Sequence, residues 1–290
     1  MVSLLLMTIG GAGMYAVTVV LPRVQADFAV DRAAASLPYT LTMIGFGFGG
    51  ILMGRLADRF GVMVPLMLGA IGLGAGFVSA GLAGNLWLFI LAQGLLLGLL
   101  GTSATFAPLV ADTSLWFTRR RGIALGICMS GNYVAGAVWP PVIQHFIETA
   151  GWRPTYIGIG VFCLVTMLPL ALVYRRRPPA IATAPLAAST AAAPPPRLQV
   201  ERPIGLSPAT LQILLCVAGV ACCVAMSMPQ VHIVAYCGDL GFGAARGAQM
   251  LSLMLGMGIL SRLASGWMSD HIGGLYTLLV GSVLQGVALL

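Results

Sequence analysis

Gly54-Arg55-Leu56-Ala57-Asp58-Arg59-Phe60-Gly61 decides how this chain folds. The stretch is a short charged connection between two long apolar runs, at about 34–54 and 62–83. A second stretch, Gly266-Trp267-Met268-Ser269-Asp270-His271-Ile272-Gly273, repeats its skeleton. Both read Gly-x-x-x-Asp, then a basic residue or His, then one residue and Gly. The second copy also separates two apolar runs, at about 245–268 and 275–290. A polar loop recurring at the same place in two parts of an apolar chain describes two related helical bundles inserted in the same sense.

Composition supports a membrane setting. Of 290 residues, 59% are hydrophobic and 8% charged, against about 25% charged in a soluble domain. A water-facing surface cannot be covered with so few charges. Nine apolar spans, at about 2–21, 34–54, 62–83, 86–111, 123–146, 155–174, 208–234, 245–268 and 275–290, have lengths near the twenty or so residues that cross a bilayer core. The expected fold class is therefore an all-α polytopic membrane protein. Residues 175–207 break the pattern. They open with Arg175-Arg176-Arg177-Pro178-Pro179 and include Pro194-Pro195-Pro196. A low-complexity stretch rich in a residue without an amide donor builds no core and reads as a linker. The organisation expected is a six-span bundle over 1–174, a linker over 175–207 and three further spans over 208–290.

The net charge of +7 does not indicate nucleic acid, because the basic residues, all arginines, lie in short blocks between spans. With the N-terminus in the cytoplasm, that side holds Arg55, Arg59, Arg119, Arg120, Arg121, Arg175, Arg176, Arg177, Arg197 and Arg202. The other side holds Arg23, Arg32, Arg153 and Arg246. This bias places the N-terminus and the linker in the cytoplasm of a multi-pass protein of the cell membrane. The first span lacks a basic leader and reads as a retained helix. The six cysteines show no metal-ligand spacing and read as small apolar residues. No metal, cofactor or catalytic group is expected. No intramembrane aspartate pair, His-Glu-x-x-His or Gly-x-Ser-x-Gly motif is present, so an enzyme is not expected.

The first loop resembles the signature between the second and third helices of the major facilitator superfamily, although Val62 and Met63 stand where basic residues usually follow. The resemblance covers the whole chain. It implies a fold of twelve helices, of which nine are present, the last run ending at Leu290 without a flanking charge. A narrower resemblance is to the monocarboxylate porter and oxalate:formate antiporter branch. It rests on Trp116 to Gly126, Ser130-Gly131, Gly136, Pro140-Pro141, Gly151-Trp152-Arg153, Val231-His232 and Asp239-Leu240-Gly241, and on Arg262 four residues before Gly266. By the resemblance, Gly54, Asp58, Arg59, Gly61, Gly266 and Asp270 form a conformational latch. Asp58 and Asp270 can also act simply as caps at the start of the following helix, where the dipole favours an anion.

Arg262 lies eight residues before Asp270, which is expected at the membrane surface, and this spacing predicts a depth of about 12 Å. Placing a guanidinium there costs about 2.5–3.5 kcal/mol, and such groups face a cavity or a partner. A guanidinium holds a carboxylate through two parallel hydrogen bonds, and the resemblance gives Arg262 that role; the alternatives are a structural ion pair or snorkelling. Relatives in the animal monocarboxylate group often carry an acid one turn earlier, where this chain has Gly258; that coupling device is absent or lies elsewhere. His232 titrates near neutrality and is a second candidate, for substrate or proton, with an interfacial hydrogen bond as the alternative. Tyr15, Gln93, Asn132 and Tyr133 are polar groups within apolar spans, each able to line a cavity or to bond a neighbouring helix. Together these features lead to a monomeric secondary transporter in the bilayer, moving a small organic anion by alternating access with a possible coupling proton. The rivals are an exporter of drugs or other small molecules on the same fold, and a sensor that binds substrate without moving it.

Overall fold

A computed structural model describes residues 1–117, 120–175 and 208–288. The chain divides into two units, one of Met1–Pro178 with Ile233–Leu290 and one of Pro179–His232. Its helices are α1 (Val2–Gly10), α2 (Ala12–Asp27), α3 (Arg32–Phe60), α4 (Met63–Gly81), α5 (Leu86–Leu91), α6 (Ala107–Trp116), α7 (Arg121–Ala150), α8 (Trp152–Leu172), α9 (Pro208–Asp239), α10 (Gly243–Ile272) and α11 (Gly274–Ala288), with a π-helical stretch, Ala92–Thr102, between α5 and α6. No strand occurs among the described residues. Eight helical stretches there are long and apolar enough to cross a membrane, and α11 is a shorter apolar helix at the position of the ninth span. α1 with α2 forms one of the eight, and α5 to α6 another. The expected linker lies outside the described residues from 176 to 207.

Helix ends follow local chemistry. Asp31 caps α3, its Oδ1 accepting from the Ala34 N–H at 2.9 Å, and Asn85 caps α5 by accepting from Leu88 N–H at 2.8 Å. Gly61 and Gly273 end α3 and α10 with φ of +85°, a conformation that side chains disfavour. This accounts for the final glycine of both loop copies. The first span continues further than its apolar run: α2 passes Pro22 and ends at Asp27. Proline removes one backbone donor, and tertiary contacts hold the turns beyond it. Trp152 Nε1 donates to Asp27 Oδ2 at 2.9 Å, Arg153 Nε lies 3.6 Å from the same oxygen, and Arg153 Nη1 donates to Ala83 O at 2.7 Å. The Gly-Trp-Arg motif thus joins the start of α8 to the ends of α2 and α4.

The buried centre of the N-terminal helices holds an aromatic cluster. Tyr156 on α8 packs against Phe77, Phe89 and Trp152, with ring centroids 5.3–5.9 Å apart. Small residues let the helices meet at their backbones. A Cβ at Gly98 would stand 2.6 Å from Thr42 O, and one at Gly72 would stand 2.7 Å from Leu100 Cβ. α7 is fixed on α1 in the same way. Trp139 Nε1 donates to Thr8 O at 2.7 Å and Thr8 Oγ1 to Gly131 O at 3.1 Å, while a Cβ at Gly131 would lie 2.6 Å from Leu4 O. These bonds set the rotation of α7, and so the directions in which Asn132 and Tyr133 leave it.

Candidate functional site

α7 and α10 lie backbone against backbone. A Cβ at Gly266 would stand 2.7 Å from Gly122 O, and one at Gly126 would stand 3.0 Å from Arg262 O. At the end of this seam Asp270 receives two backbone donors of α7: Gly122 N–H to Oδ1 at 2.6 Å and Ile123 N–H to Oδ2 at 2.9 Å. A helix start carries unpaired N–H groups and a partial positive charge, so a carboxylate there is bound by both. Asp270 therefore caps the helix of the other half, not α11, the helix that follows it. The reason is positional: Asp270 lies in the last turn of α10, ahead of the turn at Gly273.

The first copy of the loop has no such engagement among the described residues. Asp58 is exposed, and added Cβ atoms at Gly54 and Gly61 would meet nothing within 4 Å. The Arg59 guanidinium lies 5.3 Å from the Phe60 ring.

Two turns back along α10, the same seam carries Arg262. Its guanidinium lies 5.2 Å from the centroid of the Tyr133 ring, and Nη2 donates to the Tyr133 hydroxyl at 3.3 Å. No carboxylate ion-pairs with it among the described residues; the ion pair found there is Arg153 with Asp27. One turn before Arg262, an added Cβ at Gly258 would overlap the Tyr133 ring. Beyond the ring, Tyr15, Ala135, Leu251 and Leu255 form a buried cluster, with Tyr133 packed against it. A Cβ at Gly136 would meet the Tyr15 hydroxyl at 2.8 Å. Three of the expected residues, Tyr15, Tyr133 and Arg262, are thus brought together from the first, fifth and eighth spans.

The other candidates fall elsewhere. Asn132 leaves another face of α7 and lines a recess of about 10 Å³ with Gly11, Phe46, Thr105 and Phe106 among its neighbours. Gln93 is fully buried and donates from Nε2 to the Tyr156 hydroxyl at 3.1 Å. It joins the π-helical stretch to α8 in the interior of the N-terminal helices, away from the Arg262 group. The side chain of His232 lies outside the described residues. Asp112, 5% exposed, lines a separate cavity of about 580 Å³ with Ser3, Trp116, Arg120 and Tyr174. Gly122 and Gly126 are not among the candidate site residues of the sequence, and Gly258 enters there only as a position without an acid. Their signal is the four-residue spacing of Gly122 and Gly126 on one helix and of Gly258, Arg262 and Gly266 on the other, which aligns each set on one helix face.

Comparison with known proteins gives a family match along the chain. The family model described as Major Facilitator Superfamily matches residues 3–290. Monocarboxylate transporter 13 of Bos taurus is 30% identical over 250 residues, covering 82% of this chain and 54% of that protein. Monocarboxylate transporter 11 of Homo sapiens is 30% identical over 225 residues, covering 74% and 44%. A riboflavin transporter of Trypanosoma brucei brucei is 33% identical over 131 residues, covering 45% and 24%. The chain spans about half the length of the monocarboxylate transporters numbered 13 that it matches.

Proposed function

Since the chain belongs to the major facilitator superfamily, we propose that it is the part of a secondary transporter that binds a small organic anion at Arg262 and carries it by alternating access. The observation that supports this reading is a guanidinium on a helix long and apolar enough to cross a membrane that rests against the Tyr133 ring, with no ion-paired carboxylate among the described residues. A charge so placed requires water or an anion to offset its desolvation. A short carboxylate supplies that charge and matches the planar fork of donors. Tyr133 underlies the guanidinium and Tyr15 backs that ring, Asn132 belongs to a recess on another face of α7, and His232 stays a candidate for substrate or proton. Asp270 on the start of α7 is the latch of one access state, and Asp58 is its counterpart in the first loop. The names of the monocarboxylate transporters agree with this choice of substrate.

The test uses the protein at its full length in proteoliposomes. Labelled formate, acetate, lactate, pyruvate and oxalate are offered beside labelled riboflavin and a cationic dye. Saturable uptake of at least one carboxylate, blocked by the others, is expected. Carriage of riboflavin or the dye with no carboxylate uptake would assign the fold to another cargo.

The arginine bias supports a cytoplasmic N-terminus and a cytoplasmic 175–207. Single cysteines at Gly84 and Thr190, on a background without the six native cysteines, report this. Gly84 is preferred to its neighbour because Asn85 caps α5, whereas a Cβ at Gly84 meets nothing within 4 Å. An impermeant thiol reagent outside intact cells should label Gly84→Cys and spare Thr190→Cys. The reverse pattern would invert the topology.

A further inference from the structure

We propose that Tyr133 is the positioning residue of Arg262, and that the glycine at 258 is what gives its ring a seat. The inference rests on the reading of Arg262 as the anion anchor. In a helix, side chains lean toward the N-terminus, so Arg262 on α10 lies back over position 258, one turn earlier. That position has no side chain, and the Tyr133 ring from α7 occupies the space a Cβ would take. The guanidinium rests over the ring at 5.2 Å and spends one Nη2 donor on the hydroxyl at 3.3 Å. A guanidinium has five N–H donors, so the outward ones stay available to a carboxylate.

The chemistry of this seat differs from that of an ion pair. A carboxylate facing Arg262 would orient it and also neutralise it, competing with an anionic substrate. An aromatic ring orients the guanidinium through its face while leaving the positive charge uncancelled. Residue 258 matters because α10 and α7 touch along this seam. Any side chain there would displace the ring and let the arginine sample its other rotamers. Gly258 is thus a requirement of the Tyr133 seat and not simply a position without an acid.

The experiment measures KM and kcat for the carboxylate carried fastest among formate, acetate, lactate, pyruvate and oxalate, with full-length protein at matched amounts in liposomes. Tyr133→Phe keeps the ring and should raise KM less than about threefold. Tyr133→Leu and Gly258→Ala should each raise KM about threefold to thirtyfold, the range between an exposed and a desolvated cation–ring contact, with kcat within about twofold of wild type. The double variant should match Tyr133→Leu alone, because the second change removes a seat already empty. An unchanged KM in Gly258→Ala, or additive effects in the double variant, would overturn the proposal. If Gly258→Ala does not fold, the split between Tyr133→Phe and Tyr133→Leu decides, and equal KM values for the two would overturn it. Normal uptake by Arg262→Gln would remove the reading beneath it. Lost uptake in Arg262→Gln with a normal Gly258→Ala would remove the positioning role alone.

Discussion

Arg262→Gln is expected to abolish carboxylate uptake while the protein still reaches the membrane. Glutamine keeps a hydrogen-bonding end but loses the charge and the fork. Truncating one partner of a desolvated, hydrogen-bonded charge pair costs about 2–5 kcal/mol, roughly 30- to 5,000-fold in affinity. The fold should gain or lose little, because the arginine makes no ion pair among the described residues and its backbone neighbour Gly126 is untouched. Arg262→Lys separates charge from geometry. Its ammonium retains the charge yet binds a carboxylate as a point, so uptake should fall strongly without vanishing. Uptake and surface amount are measured together for several mono- and dicarboxylates. Glutamine and wild-type proteins with equal uptake would leave the superfamily membership standing and take Arg262 out of the mechanism.

Arg262 stood out in the sequence because it is a charge well inside an apolar span. The two loops were equally readable, and Gly61 and Gly273 share a positive φ that explains why each copy ends in glycine. What hydropathy does not encode is which helix a polar group faces. Gln93 and Tyr133 look alike in that respect, each a polar residue in an apolar span. Gln93 bonds Tyr156 inside the N-terminal helices, whereas Tyr133 bonds Arg262 across the seam. Both arrangements satisfy a donor within an apolar span, so no sequence rule separates them. The partner of Asp270 was hidden for a different reason. Its carboxylate binds backbone N–H groups, which every helix start offers, and Gly122 lies 148 residues away. A side-chain partner can be guessed from charge; a backbone partner cannot.

Gly266→Val is expected to disable the latch more completely than loss of the Asp270 charge. The two act on the same contact by different means. Asp270→Ala removes two backbone hydrogen bonds and a favourable interaction with the start of α7. The carboxylate is exposed, so solvent screens the effect to about 1–2 kcal/mol, the size of a lost helix cap. That shifts the ratio of the latched to the released state roughly 5- to 30-fold. Gly266→Val instead places a branched side chain against Gly122 O, where even a Cβ would stand at 2.7 Å. Both groups are on helix backbones and neither swings away, so α10 must leave α7 and the Asp270 contacts go with it. Transport should then slow by more than in Asp270→Ala. Equilibrium binding of the carboxylate should change less than transport in both variants, since Arg262 and Tyr133 are retained. A cysteine at Ile123, on the cysteine-free background, reports opening of the seam through its rate of labelling in inside-out vesicles. That rate should rise in the order wild type, Asp270→Ala, Gly266→Val. Equal labelling in all three, with transport unimpaired, would show that this seam does not open and close during the cycle.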